Sequence, residues 1–193
     1  MSIVITGSPG VGKHTIAKEI ERTWKISKLI DINKIAIDAG FVEQSQDVIE
    51  VDVNKLKKHL EPIVSDIPRL HSMGRTGVVV GHLAPYVMDG EYGNPCIVLR
   101  KNPYKLLHIY KKRGYTEQKT KDNLGSEILG IIANDAINNF GREKTFQIDT
   151  SDHTPKEIVR RIQDIKNGKD NGDNIDWLPL IQEKNDLKKF FDY

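Results

Sequence analysis

Five short apolar runs mark this chain, and between them apolar residues recur at helical spacing. The first run, SIVIT at 2–6, stops at a glycine-rich stretch, GSPGVG at 7–12. Ile16, Ile20 and Trp24 then fall at i, i+4 and i+8, one face of a helix. KLIDI at 28–32 reads as a second strand. Leu56, Leu60 and Ile63 suggest a helix that Pro62 ends or bends. GVVVGH at 77–82 and CIVLR at 96–100 are apolar without alternation, the mark of strands buried on both faces. TFQID at 145–149 is a weaker version. TPKE at 154–157 opens a helix: Thr154 can cap it, Pro155 suits its first position, and Glu157 can close a capping box. Ile158, Ile162 and Ile165 line its inner face. Strands alternating with helices predict an α/β domain, a parallel sheet covered on both sides.

KNGKDNGDNI at 166–175 reads as a polar linker. Beyond it, Trp177, Leu178, Leu180, Ile181, Leu187, Phe190 and Phe191 are too apolar for a solvated tail. They are expected to pack back on the domain, with a partner-binding arm as the alternative. The division is therefore a domain over 1–165 and a C-terminal extension over 166–193.

Composition narrows the class. The chain has 193 residues, enough for one domain with a real core, and is 38% hydrophobic and 29% charged. A formal net charge of +2 does not by itself point to nucleic acid. Cys96 is alone, so no disulfide framework or cysteine metal site is expected. No apolar stretch approaches membrane-spanning length, and the N-terminus enters a strand without the features of a signal peptide, so a cytoplasmic setting is expected.

The chemistry starts at GSPGVGKHT, residues 7–15. A phosphate-binding loop carries Ser or Thr directly after its lysine; here His14 intervenes and the hydroxyl is Thr15. Glycines at 7, 10 and 12 let backbone amides approach phosphate oxygens, and a helix starting near Lys13 adds its positive end. A glycine-rich turn with a chance lysine is the alternative; the strand before and the helix after argue against it. The second cluster spans 100–122, where eight basic residues (Arg100, Lys101, Lys105, Lys111, Lys112, Arg113, Lys119 and Lys121) face Glu117 and Asp122. A mobile basic segment suits phosphoryl transfer, which needs cations closing over the developing charge. Charge alone equally permits a solvated helix face or an RNA-binding patch.

The form G-x-P-G-x-G-K-x-T resembles the loop of adenylate kinases and related nucleoside monophosphate kinases, in which the residue after lysine need not carry a hydroxyl. KKRGYTEQKTKDNLGSEI at 111–128 resembles a short-lid signature, R-G-Y-x-x-x-K-x-x-D-N-x-x-x-E-I. That pattern is similar to the adenylate-kinase-like NTPases of small-ribosomal-subunit maturation, the archaeal members most in layout, over about residues 1–165. The resemblance implies a five-stranded parallel sheet in 2-3-1-4-5 order with helices on both faces and a lid at about 111–127. It implies ATP with Mg²⁺, transfer to AMP or another nucleoside monophosphate, ATP hydrolysis, and transient contact with a small-subunit ribosomal protein. On this chain Gly10, Gly12, Lys13, His14 and Thr15 fall on the nucleotide-contacting loop, Thr15 also toward the metal. Arg113 falls on the lid arginine, Lys119 more weakly on a lid cation, and His82 near a histidine linked to hydrolysis, with an unperturbed pKa near working pH.

Two departures stand out. The third strand ends Val80-Gly81-His82, with no carboxylate for a metal-bound water. Residues 31–66, where the monophosphate site is expected, contain no arginine; Asp31, Asn33 and Lys34 are the candidate contacts. Two functions stay open: a small kinase with ATPase side activity, and a nucleotide-gated assembly factor whose main activity is hydrolysis, with an RNA-binding module ranked below both. His82 is the candidate water-positioning group for hydrolysis, or a structural histidine.

Overall fold

The computed structural model describes residues 2–24, 26–45, 48–67 and 76–191. Five strands form one parallel sheet: β1 (Ser2–Thr6), β2 (Ile26–Asp31), β5 (Thr76–Val80), β6 (Cys96–Arg100) and β7 (Thr145–Asp149). Their spatial order is β2-β5-β1-β6-β7. Counting only these five, that is the expected 2-3-1-4-5. β3 (Val42–Ser45) and β4 (Val48–Val51) form a separate antiparallel hairpin that periodicity had not suggested.

The unbroken apolar runs have a direct cause. Successive side chains of a strand point to opposite faces. Ile3, Ile5, Val78, Val80, Ile97 and Leu99 enter one apolar layer, while Val4, Val79, Cys96 and Val98 enter the other. Helices cover both. The first layer lies under α1 (Lys13–Thr23), α5 (Pro103–Lys112), α6 (Glu117–Ile128) and α8 (Pro155–Lys166). The second lies under α2 (Ile32–Asp38), α3 (Val53–Val64), the short α4 (Ala84–Val87) and α7 (Ile131–Phe140). No helix among the described residues is long and apolar enough to cross a membrane.

Boundaries moved where a side chain took a different job. Ile32 is not the end of β2; it opens α2, because the Asp31 carboxylate caps that helix by accepting from the Lys34 amide at 3.1 Å. β5 stops at Val80, so His82 lies in the loop beyond it. Pro62 lies inside α3 and does not end it, since the helix runs on to Val64; Leu56, Leu60 and Val64 are its buried face, and Ile63 is half-buried. The capping box at α8 is present: the Thr154 amide donates to Glu157 Oε2 at 2.7 Å, and the Glu157 amide to Thr154 Oγ1 at 3.4 Å.

Residues 168–191 lie against the first layer. Arg161 of α8 grips the polar stretch, its Nε at 2.8 Å from Asp170 and its Nη1 at 2.8 Å from Asp173. The Asp173 amide donates to the Gln147 carbonyl on β7 at 2.8 Å. Two short helices follow, α9 (Leu178–Glu183) and α10 (Leu187–Phe190), and bury Ile181 and Phe190 completely. Tyr104 of α5 donates to Asp186 at 2.8 Å and packs edge-on against Phe190.

This grip carries a pH dependence. Hydrogen bonds from Arg161 hold Asp170 below its usual pKa. For Asp173 burial pushes the pKa up, but Arg161 and the Asp149 amide outweigh it and the net direction is down. Carboxylates depressed in the folded state stabilise it above their unfolded pKa, and that contribution is lost as pH falls below it. Arg161→Ala is therefore expected to cost about 1–2 kcal/mol at pH 7, a fall in Tm of roughly 2–8 °C. The gap to the parent should narrow in acid, as pH falls below the usual aspartate range and through the depressed values that Arg161 maintains in the folded parent. Paired thermal melts at the two pH values check this; a gap that stays constant with pH refutes it.

Candidate active site

The loop after β1 is held open by its own glycines and by neighbours that occupy its carbonyls. Gly7 has φ +129°, and a Cβ there would sit 2.2 Å from the Leu99 carbonyl oxygen, so β6 can approach only glycine. Gly12 has φ +106° and nothing within 4 Å of its Cβ position; its open side is where a phosphate oxygen would reach the amides. Tyr110 Oη donates to the Pro9 carbonyl at 2.6 Å, and Thr150 Oγ1 to that of Val11 at 2.9 Å. Ser8 Oγ donates to Glu127 Oε2 at 2.6 Å.

Lys13 starts α1 and folds back into the loop, donating from Nζ to the carbonyls of Gly7 and Ser8 at 2.7 and 2.8 Å. It is 5% exposed. Burial lowers its pKa to about 7; Glu127 opposes this, Arg113 adds to it, and Asp31 opposes it. An ammonium whose charge is so poorly supported has a strong electrostatic preference for an incoming polyphosphate.

A cavity of about 560 Å³ opens in front of the loop, within the range of small-molecule sites. It gathers Gly10, Gly12, Lys13, His14, Thr15, His82, Arg113 and Lys119 on one wall or another. Asn33 joins them, while Asp31 and Lys34 are not among the lining residues. Asp31 stands behind His14, its Oδ2 accepting from the ring Nε2 at 2.9 Å. The same cavity is also lined by the apolar Ala36, Ile37, Val42, Val51 and Leu83, to which the β3–β4 hairpin contributes. Asn33 Oδ1 is buried and, with Thr6 Oγ1, lacks a hydrogen-bond partner among the described residues.

The basic segment is not one mobile unit. Arg100 is buried in an ion pair with Glu127 at 2.9 Å and also bonds Gln147. Lys101 donates to the Thr150 carbonyl at 2.8 Å, Lys105 pairs with Asp152, and Lys121 pairs with Glu117 at 3.1 Å. Arg113 and Lys119 are the basic members of the segment that line the cavity, and the acidic Asp122 lines it as well. The two cations stand at the corner where α5 meets α6: the Gly114 amide donates to Lys111 O, the Tyr115 amide to Tyr110 O, and Thr116 caps α6. Tyr115 stacks on Tyr110 with centroids 5.2 Å apart, and Lys119 Nζ lies 4.8 Å over the Tyr115 ring. Tyr110 thus joins the corner to the loop through Pro9.

His82 is half-buried, and its pKa is lowered to about 4, first by burial and then by the charges of Lys13 and His14. The expectation of a group titrating near working pH is corrected: the imidazole is neutral, able to hold water but a weak base.

For the implied Mg²⁺, the donor set was tested on the cavity itself. Thr15, on the first turn of α1, is exposed to it. No group of three His, Cys, Asp or Glu side chains that could hold a metal occurs among the described residues. Asp31 pairs in register with Val80 across β2 and β5, so a carboxylate stands at the level where the third strand lacks one. These residues fit a metal carried in on phosphate oxygens and water, for which Thr15 would be the protein donor.

Sequence reasoning missed Ser8, Tyr110 and Thr150 as parts of the site or its frame, and had Asp122 only as an acid of the basic segment and a letter of the lid pattern. Glu127 was visible only as a letter of the lid pattern, since nothing in spacing shows that it lies under the loop.

Comparison with known proteins places this architecture. A family model described as "AAA domain" matches residues 3–130. A protein of Pyrococcus furiosus described as "Putative adenylate kinase" is 30% identical over 185 residues, covering 95% of this chain and 94% of its own. One of Methanococcus maripaludis with the same description is 31% identical over 189 residues, covering 92% and 96%. Among solved structures, shikimate kinase from Bacteroides thetaiotaomicron superposes with a TM-score of 0.53 at 15% identity, covering 86% of this chain and 97% of its own. That last likeness concerns the fold alone.

Proposed function

This chain belongs to the AAA-domain family, in the company of adenylate-kinase homologues, and from that premise we propose that it transfers the γ-phosphoryl group of ATP to AMP or another nucleoside monophosphate, with ATP hydrolysis as a side activity. The observation that carries the reading is that one cavity is lined both by Lys13, Arg113 and Lys119 and by the apolar Ala36, Ile37, Val42 and Val51. The cations suit a triphosphate and the apolar residues a second base.

Transfer between two phosphates needs little covalent work from the protein. The acceptor oxygen carries no proton that must be removed, so no general base is required. Loop amides and Lys13 hold the β- and γ-phosphates, Lys13 exchanging its two carbonyl partners for phosphate oxygens. Arg113 adds charge from the corner as it closes over the transferring group. Magnesium, when bound with ATP, neutralises phosphate charge and orients the oxygens, with Thr15 as the residue that would hold it. Ile37, exposed in the free protein, Leu83 and the hairpin offer the apolar surface that a bound acceptor base would cover.

A panel of nucleoside monophosphates with ATP–Mg²⁺, followed for diphosphate formation, tests the reading. Diphosphate should appear with at least one of them, AMP first; hydrolysis unaffected by every monophosphate would remove the kinase reading.

His82 supports the second reading, a nucleotide-gated assembly factor acting in small-subunit maturation through contact with a ribosomal protein. A neutral imidazole beside Lys13 can hold a water for in-line attack. His82→Ala is expected to lower AMP-independent hydrolysis about tenfold, less than full general-base catalysis supplies, and to leave transfer to AMP nearly unchanged. Equal losses in both rates together with a lower Tm would make His82 a structural residue.

A further inference from the structure

Glu127 closes α6 as a carboxylate 1% exposed beneath the phosphate loop. A buried charge persists when its lone pairs meet donors. Here Oε1 accepts from Arg100 Nε at 2.9 Å, the Lys101 amide at 3.0 Å and the Trp177 indole N–H at 3.1 Å. Oε2 accepts from Ser8 Oγ at 2.6 Å. One oxygen is anchored by β6 and by the C-terminal segment; the other reaches the loop. Ser8 extends the connection, because its carbonyl accepts from Lys13 Nζ at 2.8 Å.

Arg100 alone would neutralise Glu127. The indole adds a donor that fixes which way the carboxylate faces, and the segment bearing it is firmly seated: Ile181 and Phe190 are buried, and Asp186 accepts from Tyr104. Without the indole N–H, the carboxylate keeps its charge partner but is freer to turn away from Ser8.

We propose that Glu127 is a positioning residue for the phosphate loop, and that Trp177, by fixing this carboxylate, makes the C-terminal segment part of the nucleotide site. The inference rests on the reading of the loop as an ATP site. The loop amides keep their hold on the β-phosphate before and after transfer, so loosening the loop weakens ATP binding more than it slows chemistry.

The test uses the full chain with ATP–Mg²⁺, measuring KM, kcat, calorimetric ATP affinity and Tm for Ser8→Ala, Trp177→Phe, their double variant, and Trp177→His. All four retain the Arg100–Glu127 pair. Each of Ser8→Ala and Trp177→Phe is expected to raise KM and Kd for ATP about tenfold, the loss of one hydrogen bond to a charged group, with kcat within about threefold. Because both cut one tether, the double variant should be little worse than the poorer single. Trp177→His keeps a ring N–H on a smaller ring and should bind ATP better than Trp177→Phe. A purely packing role for the indole predicts the reverse order, and that result, wild-type affinity in Trp177→Phe, or single effects that multiply in the double would each overturn the proposal. Failure of the unmodified chain to bind ATP would instead reject the reading of the loop.

Discussion

Lys13→Ala should retain its fold and lose about 10³-fold in both phosphoryl transfer and hydrolysis. Removing one preorganised donor to a developing charge costs 10²–10³-fold in other enzymes, and a full cation aimed at the β- and γ-phosphates belongs at the upper end. In the free protein Lys13 is buried and donates to the Gly7 and Ser8 carbonyls. Its removal takes away a charge whose burial is unfavourable, so stability should not fall in step with activity. The rates and the Tm of one preparation decide this. Turnover within tenfold of the parent would take the loop out of the mechanism; lost turnover accompanied by a collapsed Tm would make the effect structural.

Arg113→Ala is expected to lower the single-turnover rate by about 10²–10³-fold while changing ATP affinity by less than about fivefold. The reason is position. Arg113 is exposed at the corner between α5 and α6, lines the cavity, and is near enough to Lys13 to lower its pKa. Two cations lining one cavity repel until phosphate charge arrives between them, and an exposed side chain spends little of its interaction before closure. Arg113→Lys should recover only part of the rate, since an ammonium lacks the planar fork that meets two phosphate oxygens at once. If ATP affinity collapsed and the single-turnover rate stayed intact, Arg113 would be a ground-state anchor and not a closing residue.

Both expectations begin in linear sequence but acquire their content in three dimensions. GSPGVGKHT alone placed Lys13 between a strand and a helix. The runs at 2–6, 77–82 and 96–100 announced strands buried on both faces, because alternating side chains that all meet apolar layers leave no polar beat. TPKE announced a helix start, because a capping box is a contact between residues three apart. In each case the deciding interaction is short in sequence, so spacing carries it.

Tertiary structure decided what depends on residues far apart in the chain. The eight cations at 100–122 look alike in sequence, yet Arg100 is committed to Glu127, Lys105 to Asp152, and Arg113 and Lys119 to the cavity. Periodicity showed neither the β3–β4 hairpin nor the site's apolar wall, whose residues come from α2, β3, β4 and the loop after β5. His82 carried an ordinary histidine pKa until burial beside Lys13 took it to about 4. Desolvation and through-space charge depend on what surrounds a group, and the order of residues does not contain that. Trp177 is the clearest instance: 50 residues separate it from the carboxylate it holds. Sequence showed that the end of the chain is too apolar for solvent; only the folded sheet, by bringing α6 beneath the loop, decided that this end lies within reach of the phosphate site.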